Sequence, residues 1–156
     1  MRWAAFFAAV FLCAGTAAAG DAQPFVRGSW QDIRDRHADR PLVVHLWGIT
    51  CGPCLTELPR WSRLRETFPK MDLVLVAADP APMPAEKVAA TLAKAGLGDV
   101  ESWNFADRFT ARLRFEIDPA WRGELPRTLL IDPAGTVTVM SGVTDWKAIE
   151  DWARGR

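Results

Sequence analysis

The chain has 156 residues, 49% of them hydrophobic, with 19 basic and 19 acidic side chains and a formal net charge of zero. That length suits one domain, and the composition suits a buried core rather than disorder. Balanced charge without a long acidic or basic run excludes the footprint of a nucleic-acid binder and a charged tail.

The N-terminus reads as an export signal. Arg2 precedes an apolar stretch from Ala4 to Ala14, and Ala17-Ala18-Ala19 offers a small-x-small cleavage site before Gly20. The stretch is shorter than the roughly 20 residues needed to span a bilayer. Residues 1–19 are therefore expected to be a cleaved signal peptide, with residues 20–156 forming a single domain in the periplasm. An uncleaved membrane anchor is the alternative. Lipid attachment at Cys13 is disfavoured, because bulky Leu12 stands where a small residue is expected. Loss of Arg2 and Cys13 leaves a net charge of −1 and two cysteines, Cys51 and Cys54.

Residues 20–28 read as an irregular lead-in. Ser29 with Asp32 resembles a capping pair that opens a helix reaching about His37, which Asp39-Arg40-Pro41 ends. Leu42 to Trp47 has the marks of a buried strand. After a loop from Gly48 to Pro53 comes a long helix with Leu55, Leu58, Trp61, Leu64 and Phe68 on one stripe. Pro59 should kink this helix without ending it. Met71 to Ala78 is a second strand, followed by a proline-rich loop at 80–84. Ala85 to Ala95 is helical, residues 106–115 more weakly so, and 118–126 form a loop. Arg127 to Ile131 and Thr136 to Met140 read as a hairpin around Asp132-Pro133-Ala134-Gly135. Trp146 to Ala153 closes the chain as a helix. The order implies a right-handed parallel crossover, then an antiparallel pair: an α/β mixed sheet of four or slightly more strands with helices on both faces.

The chemistry centres on Cys51-Gly52-Pro53-Cys54, placed after a strand and at the opening of a helix. Two residues between cysteines close too small a ring to stabilise a fold much. Free amides at a helix start stabilise an anion, so a thiolate there is populated and reactive. Cys51, at the cap, is expected to attack. Cys54, one turn in, then resolves the mixed disulfide by forming the Cys51–Cys54 bond. A zinc site would need both cysteines with His37 and His45, and no second close-spaced pair exists to support it.

The segment Val43-Val44-His45-Leu46-Trp47-Gly48-Ile49-Thr50-Cys51-Gly52-Pro53-Cys54 resembles the active-site strand and loop of the thioredoxin superfamily. Its continuation Leu55-Thr56-Glu57-Leu58-Pro59 resembles the exported TlpA/ResA type, which includes proteins used in cytochrome c maturation. Gly123 to Gly135 is similar to that family's later loop, strand and turn. The resemblance implies a thioredoxin-like fold. It makes Pro126 a cis-proline facing the two sulfurs, with the Leu125 backbone pairing to an extended substrate. It also makes Glu57 a buried acid that takes the proton from Cys54. Two positions depart from the pattern. His45 stands where thioredoxins carry a buried acid, and is a candidate for tuning the sulfur pKa or simply hydrogen-bonded in place. Thr50 stands where a tryptophan usually precedes the first cysteine. Trp121 and Arg127 are candidates for the substrate surface, the latter toward an acidic partner.

The expected activity is that of a protein-disulfide reductase needing no cofactor. Its partners would be disulfide-bearing exported proteins and a membrane electron donor, and the molecule would act as a monomer. A Cu(I)-binding module for copper delivery or resistance is the alternative, because thiolates select that soft ion. An oxidising or isomerising role would be expected to bring a larger helical insertion.

Overall fold

The computed structural model describes residues 22–80 and 83–156; the expected signal segment and Cys13 lie outside them. Among the described residues, six strands and five helices follow one another: β1 (Gln23–Phe25), α1 (Ser29–Arg36), β2 (Leu42–Trp47), α2 (Gly52–Thr67), β3 (Asp72–Ala77), α3 (Ala85–Lys94), β4 (Glu101–Phe105), α4 (Thr110–Ile117), β5 (Arg127–Ile131), β6 (Val137–Ser141) and α5 (Trp146–Arg154). They build one sheet of order β1-β4-β3-β2-β5-β6. β1, β4, β3 and β2 run parallel, β5 is antiparallel to β2, and β6 to β5. No helix among the described residues is long and apolar enough to cross a membrane.

β2 lies inside the sheet, and all six of its residues are buried. That is the expectation for a strand covered on both faces, and it explains the unbroken apolar run. Successive residues of β2 and β3 alternate between two cores. Val43, Trp47, Leu73 and Leu75 join α2, α3 and α5 through Cys54, Leu58, Trp61, Val88, Leu92 and Ile149. Leu42, Val44, Leu46, Val74 and Val76 join α1 and α4 through Trp30, Ile33, Leu113 and Ile117. The helix that the cysteine pair opens, α2, therefore sits on the first of these two layers.

Two strands depart from the sequence reading. Residues 23–25 are a strand, not an irregular lead-in; they pair with β4 at the sheet edge, where Pro24 is tolerated. β4 reads poorly because Glu, Ser and Asn interrupt it. Ser102 and Asn104 are nonetheless buried, and Asn104 Nδ2 donates to the Met83 carbonyl at 2.6 Å. At α1, Ser29 does not cap the helix. The cap is Gly28 at φ 91°, and Ser29 Oγ accepts from the Val26 amide at 3.0 Å. On α2, Pro59 is accommodated within one continuous helix, and Leu55 leaves the expected stripe at 39% exposure.

The strands begin in a charged cluster. His37 Nδ1 lies 2.6 Å from Asp72 Oδ2 and Nε2 lies 3.1 Å from Glu101 Oε2, joining the starts of β3 and β4 to the end of α1. Arg40 reaches Asp72 at 2.5 Å and Arg36 reaches Glu101 at 3.1 Å. Hydrogen bonding to Glu101, reinforced by Asp72, raises the His37 pKa above its ordinary 6.5. A histidine whose folded pKa is raised binds its proton more tightly in the native state. Its stabilisation is complete below pH 6.5 and is lost as pH rises through the elevated value. We therefore expect His37→Gln to cost on the order of 1–3 kcal/mol in mildly acidic buffer, the range for hydrogen bonds to charged groups, and less in alkaline buffer. Urea melts at several pH values check this; an equal loss throughout would remove the imidazolium from the account.

Candidate active site

α2 starts at the top of β2, and its first residues build the redox pair. Cys51 is the N-cap, with extended backbone at φ −95° and ψ 100°, and its Sγ accepts from the Cys54 amide at 3.2 Å. Gly52 and Pro53 are exposed and occupy the first two helical positions; Pro is favoured there because its missing donor is unneeded. Cys51 and Cys54 are joined as a disulfide with Cα atoms 5.2 Å apart. Cys51 is partly exposed, whereas Cys54 is fully buried. The helix start thus gives the accessible sulfur a hydrogen-bond donor and places the second sulfur behind it.

The neighbouring strand supplies the opposite wall. β5 pairs with β2 so that Arg127 faces Leu46, and extending this antiparallel register sets Leu125 beside Gly48. The Leu125–Pro126 peptide bond is cis. The Pro126 carbonyl accepts from the Gly142 amide at 2.9 Å, while the Leu125 amide and carbonyl engage no partner among the described residues.

Glu57 is buried one turn below Cys54 in α2. Thr144, between β6 and α5, donates to it twice: its amide to Oε1 and its hydroxyl to Oε2, each at 2.7 Å. His45 is also fully buried and lies under α2, its ring 4.7 Å from that of Trp61. Nδ1 is 3.0 Å from Thr128 Oγ1, and Nε2 has no partner among the described residues. Burial pushes its pKa down to about 3, so the ring is neutral at physiological pH. His45 faces the core on the α2 side of the sheet. His37, in contrast, lies at the other end of the parallel strands, and no cluster of three or more His, Cys, Asp or Glu side chains among the described residues is arranged to hold a metal.

Trp121 and Arg127 do not meet the sulfurs. Trp121 packs in the α1/α4 layer, across the sheet from Cys54, and donates Nε1–H to the Glu124 carbonyl at 2.9 Å. Arg127 is only 6% exposed. Its guanidinium binds Glu124 at 3.0 Å and also Asp118 and Ser141 within the chain. It is neither a solvated charge nor free for an acidic partner. Leu125 alone of this segment packs against both cores, at the boundary beside Gly48.

Sequence reasoning missed Asp79. The residue follows the second predicted strand directly, and its side chain is buried. Asp79 accepts from the Ile49 amide at 3.0 Å, the Thr50 amide at 3.2 Å and the Thr50 hydroxyl at 2.9 Å. The available signal was an acid directly after a buried strand, together with the polar Thr50 just before the first cysteine.

Solved structures share this architecture. A thiol:disulfide interchange protein of the thioredoxin family from Chlorobium tepidum superposes with a TM-score of 0.62 at 18% identity, over 78% of this chain and 83% of that one. This chain has a thioredoxin-like fold. A secreted Mycobacterium tuberculosis disulfide oxidoreductase, homologous to E. coli DsbE, matches with a TM-score of 0.61 at 14% identity, over 88% of this chain and 96% of that one. A DsbF homologue from Corynebacterium diphtheriae matches at 0.61 and 17% identity, over 79% and 76%. No protein-family profile matches the chain, and no curated protein matches it in sequence.

Proposed function

We propose that this chain is an exported thiol–disulfide oxidoreductase that reduces disulfides of proteins outside the cytoplasm. The observation that carries this reading is the Cys54 amide on the Cys51 sulfur, with one sulfur accessible and the other buried behind it. In the reduced protein the Cys51 thiolate attacks one sulfur of a client disulfide. The new S–S bond forms as the client bond breaks, and the leaving sulfur takes a proton from water. Cys54, once deprotonated, attacks the Cys51 sulfur and expels the second client thiolate. The client gains two electrons, and the protein ends with its 51–54 bond closed. A dithiol donor at the membrane must then return two electrons. The free Leu125 amide and carbonyl support the pairing of an extended client strand at this edge.

Glu57 acts as the proton acceptor for Cys54 in this scheme. Glu57→Gln tests it cleanly. The glutamine carbonyl still accepts the Thr144 amide, and the Thr144 hydroxyl can turn to accept from the new amide, so the local fold persists. Resolution should slow about 100-fold, within the range for general base catalysis, and its pH profile should change. An unaltered rate and profile would remove Glu57 from the mechanism.

A role in cytochrome c maturation follows the TlpA/ResA resemblance, with apocytochrome thiols as the product. The leader at residues 1–19 is the support for export. The reading is tested by insulin reduction with metal-free protein and a glutathione-based reduction potential. Turnover with a potential nearer thioredoxin than DsbA supports a reductant. Tight Cu(I) binding with no disulfide turnover would replace it by the copper module.

A further inference from the structure

We propose that Asp79 is a positioning residue for the nucleophile: its buried carboxylate clamps the loop before Cys51, and its charge opposes ionisation of the Cys51 sulfur. β3 runs beside β2 in parallel register, Ala77 facing Trp47, and the Ala78 amide donates to the Trp47 carbonyl at 2.8 Å. One residue further, Asp79 lies alongside the chain that leaves β2. It engages all three residues between that strand and the nucleophile. Ile49 and Thr50 are held by the three hydrogen bonds described above. Gly48 is held by contact: a Cβ there would sit 3.0 Å from Asp79 Oδ1 and 3.2 Å from Leu125 Cδ1. The Cys51 amide closes the loop by donating to the Gly48 carbonyl at 3.2 Å. The loop therefore lies in a slot between the end of β3 and the lead-in to β5, with a carboxylate as one wall.

Two fields then act on the sulfur in opposite directions. The Cys54 amide and the start of α2 favour the thiolate. The carboxylate of Asp79, one residue away along the clamped loop, disfavours it as a like charge in a poorly solvated place. The other groups around the pair do not cancel this. Glu57 of α2 is held by Thr144, His45 of β2 is neutral, and Arg127 of β5 is engaged by Asp118 and Glu124 across the sheet. Holding the thiolate back disfavours the dithiol relative to the disulfide, which makes the couple more reducing. Thr50 is part of the device: a hydroxyl at this position supplies the third donor to the clamp.

The consequence for electron flow rests on the oxidoreductase reading, but the test does not. The alkylation rate of Cys51 by iodoacetamide, followed by mass spectrometry against pH in the reduced protein, reports its ionisation directly. Asp79→Asn should lower the midpoint by about one unit. It should also shift the glutathione equilibrium up to about tenfold toward the dithiol. Thr50→Val removes one donor and retains the charge, so its midpoint should stay within a few tenths of a unit. Asp79→Ser, smaller and neutral, supplies the same readout should the amide variant fail to fold. A neutral variant with native circular dichroism and an unmoved midpoint overturns the proposal. So does a Thr50→Val shift as large as that of Asp79→Asn. Failure of the wild-type protein to reduce insulin would instead sink the functional reading, leaving the alkylation result to decide Asp79.

Discussion

Cys51→Ser should abolish insulin reduction, and Cys54→Ser should turn the protein into a trap for its client. The asymmetry follows from burial. With Cys51 gone, the remaining sulfur is fully buried on the inner face of α2 and no client disulfide reaches it. Loss of a nucleophile removes several orders of magnitude in rate, and about a thousand-fold or more is expected here. With Cys54 gone, Cys51 still attacks, but the mixed disulfide has no internal partner to resolve it. Holding two sulfurs on one helical turn is worth a large effective concentration, which a dissolved thiol at ordinary levels does not match. The adduct should therefore persist on a non-reducing gel and identify the client by mass. Turnover of Cys54→Ser near the wild-type rate would show that resolution does not use this pair. Trapping by Cys51→Ser would show that the two roles are reversed.

Asp118→Ala should destabilise the fold by about 3 kcal/mol, more than the loss of the arginine it holds. Arg127 is buried among apolar side chains, whereas Asp118 and Glu124 are closer to water. Removing a partner of a buried charge leaves that charge uncompensated, at a cost of roughly 3–5 kcal/mol. Glu124 remains as a second partner, which holds the effect at the low end. For a domain of this size the melting temperature should fall by roughly 10 °C. Arg127→Met lets both carboxylates rehydrate and keeps the apolar volume, so its cost should be about half as large. Thermal melts of the two variants decide the order. The same pair also sensitises the protein to acid. A hydrogen bond from the Ala120 amide, together with Arg127, lowers the Asp118 pKa below its ordinary value. Its contribution is present above that ordinary value and is lost as pH falls through the depressed one.

The parts of this molecule that a linear reading reached are those where one residue type has one use. A continuous apolar run marked β2 because an interior parallel strand is buried on both faces. The cysteine pair declared itself by its place between a strand and a helix. β1 escaped because three residues with a proline carry no period, and β4 because its polar residues are satisfied by distant groups such as the Met83 carbonyl. Arg127 and Trp121 were misread for a related reason: adjacency to Pro126 in sequence says nothing of which face of β5 a side chain takes. Alternation puts Arg127 with Leu129 and Ile131, on the side away from Cys54. The role of Asp79 could not be assigned from its own surroundings in sequence, because its three donors lie about thirty positions upstream. Only the register of β3 against β2 brings them together.

The packing of the tryptophans has an optical consequence. The chain contains eight tryptophans and no tyrosine, so its near-ultraviolet emission is indole emission. Trp47 and Trp61 belong to the same apolar cluster as Cys54, and the Trp146 ring packs against that of Trp61 at a tilt, with centroids 4.9 Å apart. A disulfide close to excited indoles quenches them by accepting an electron, and a dithiol does so far less. Indole emission is therefore expected to follow the oxidation state without a label, rising as the bond opens and falling as it closes.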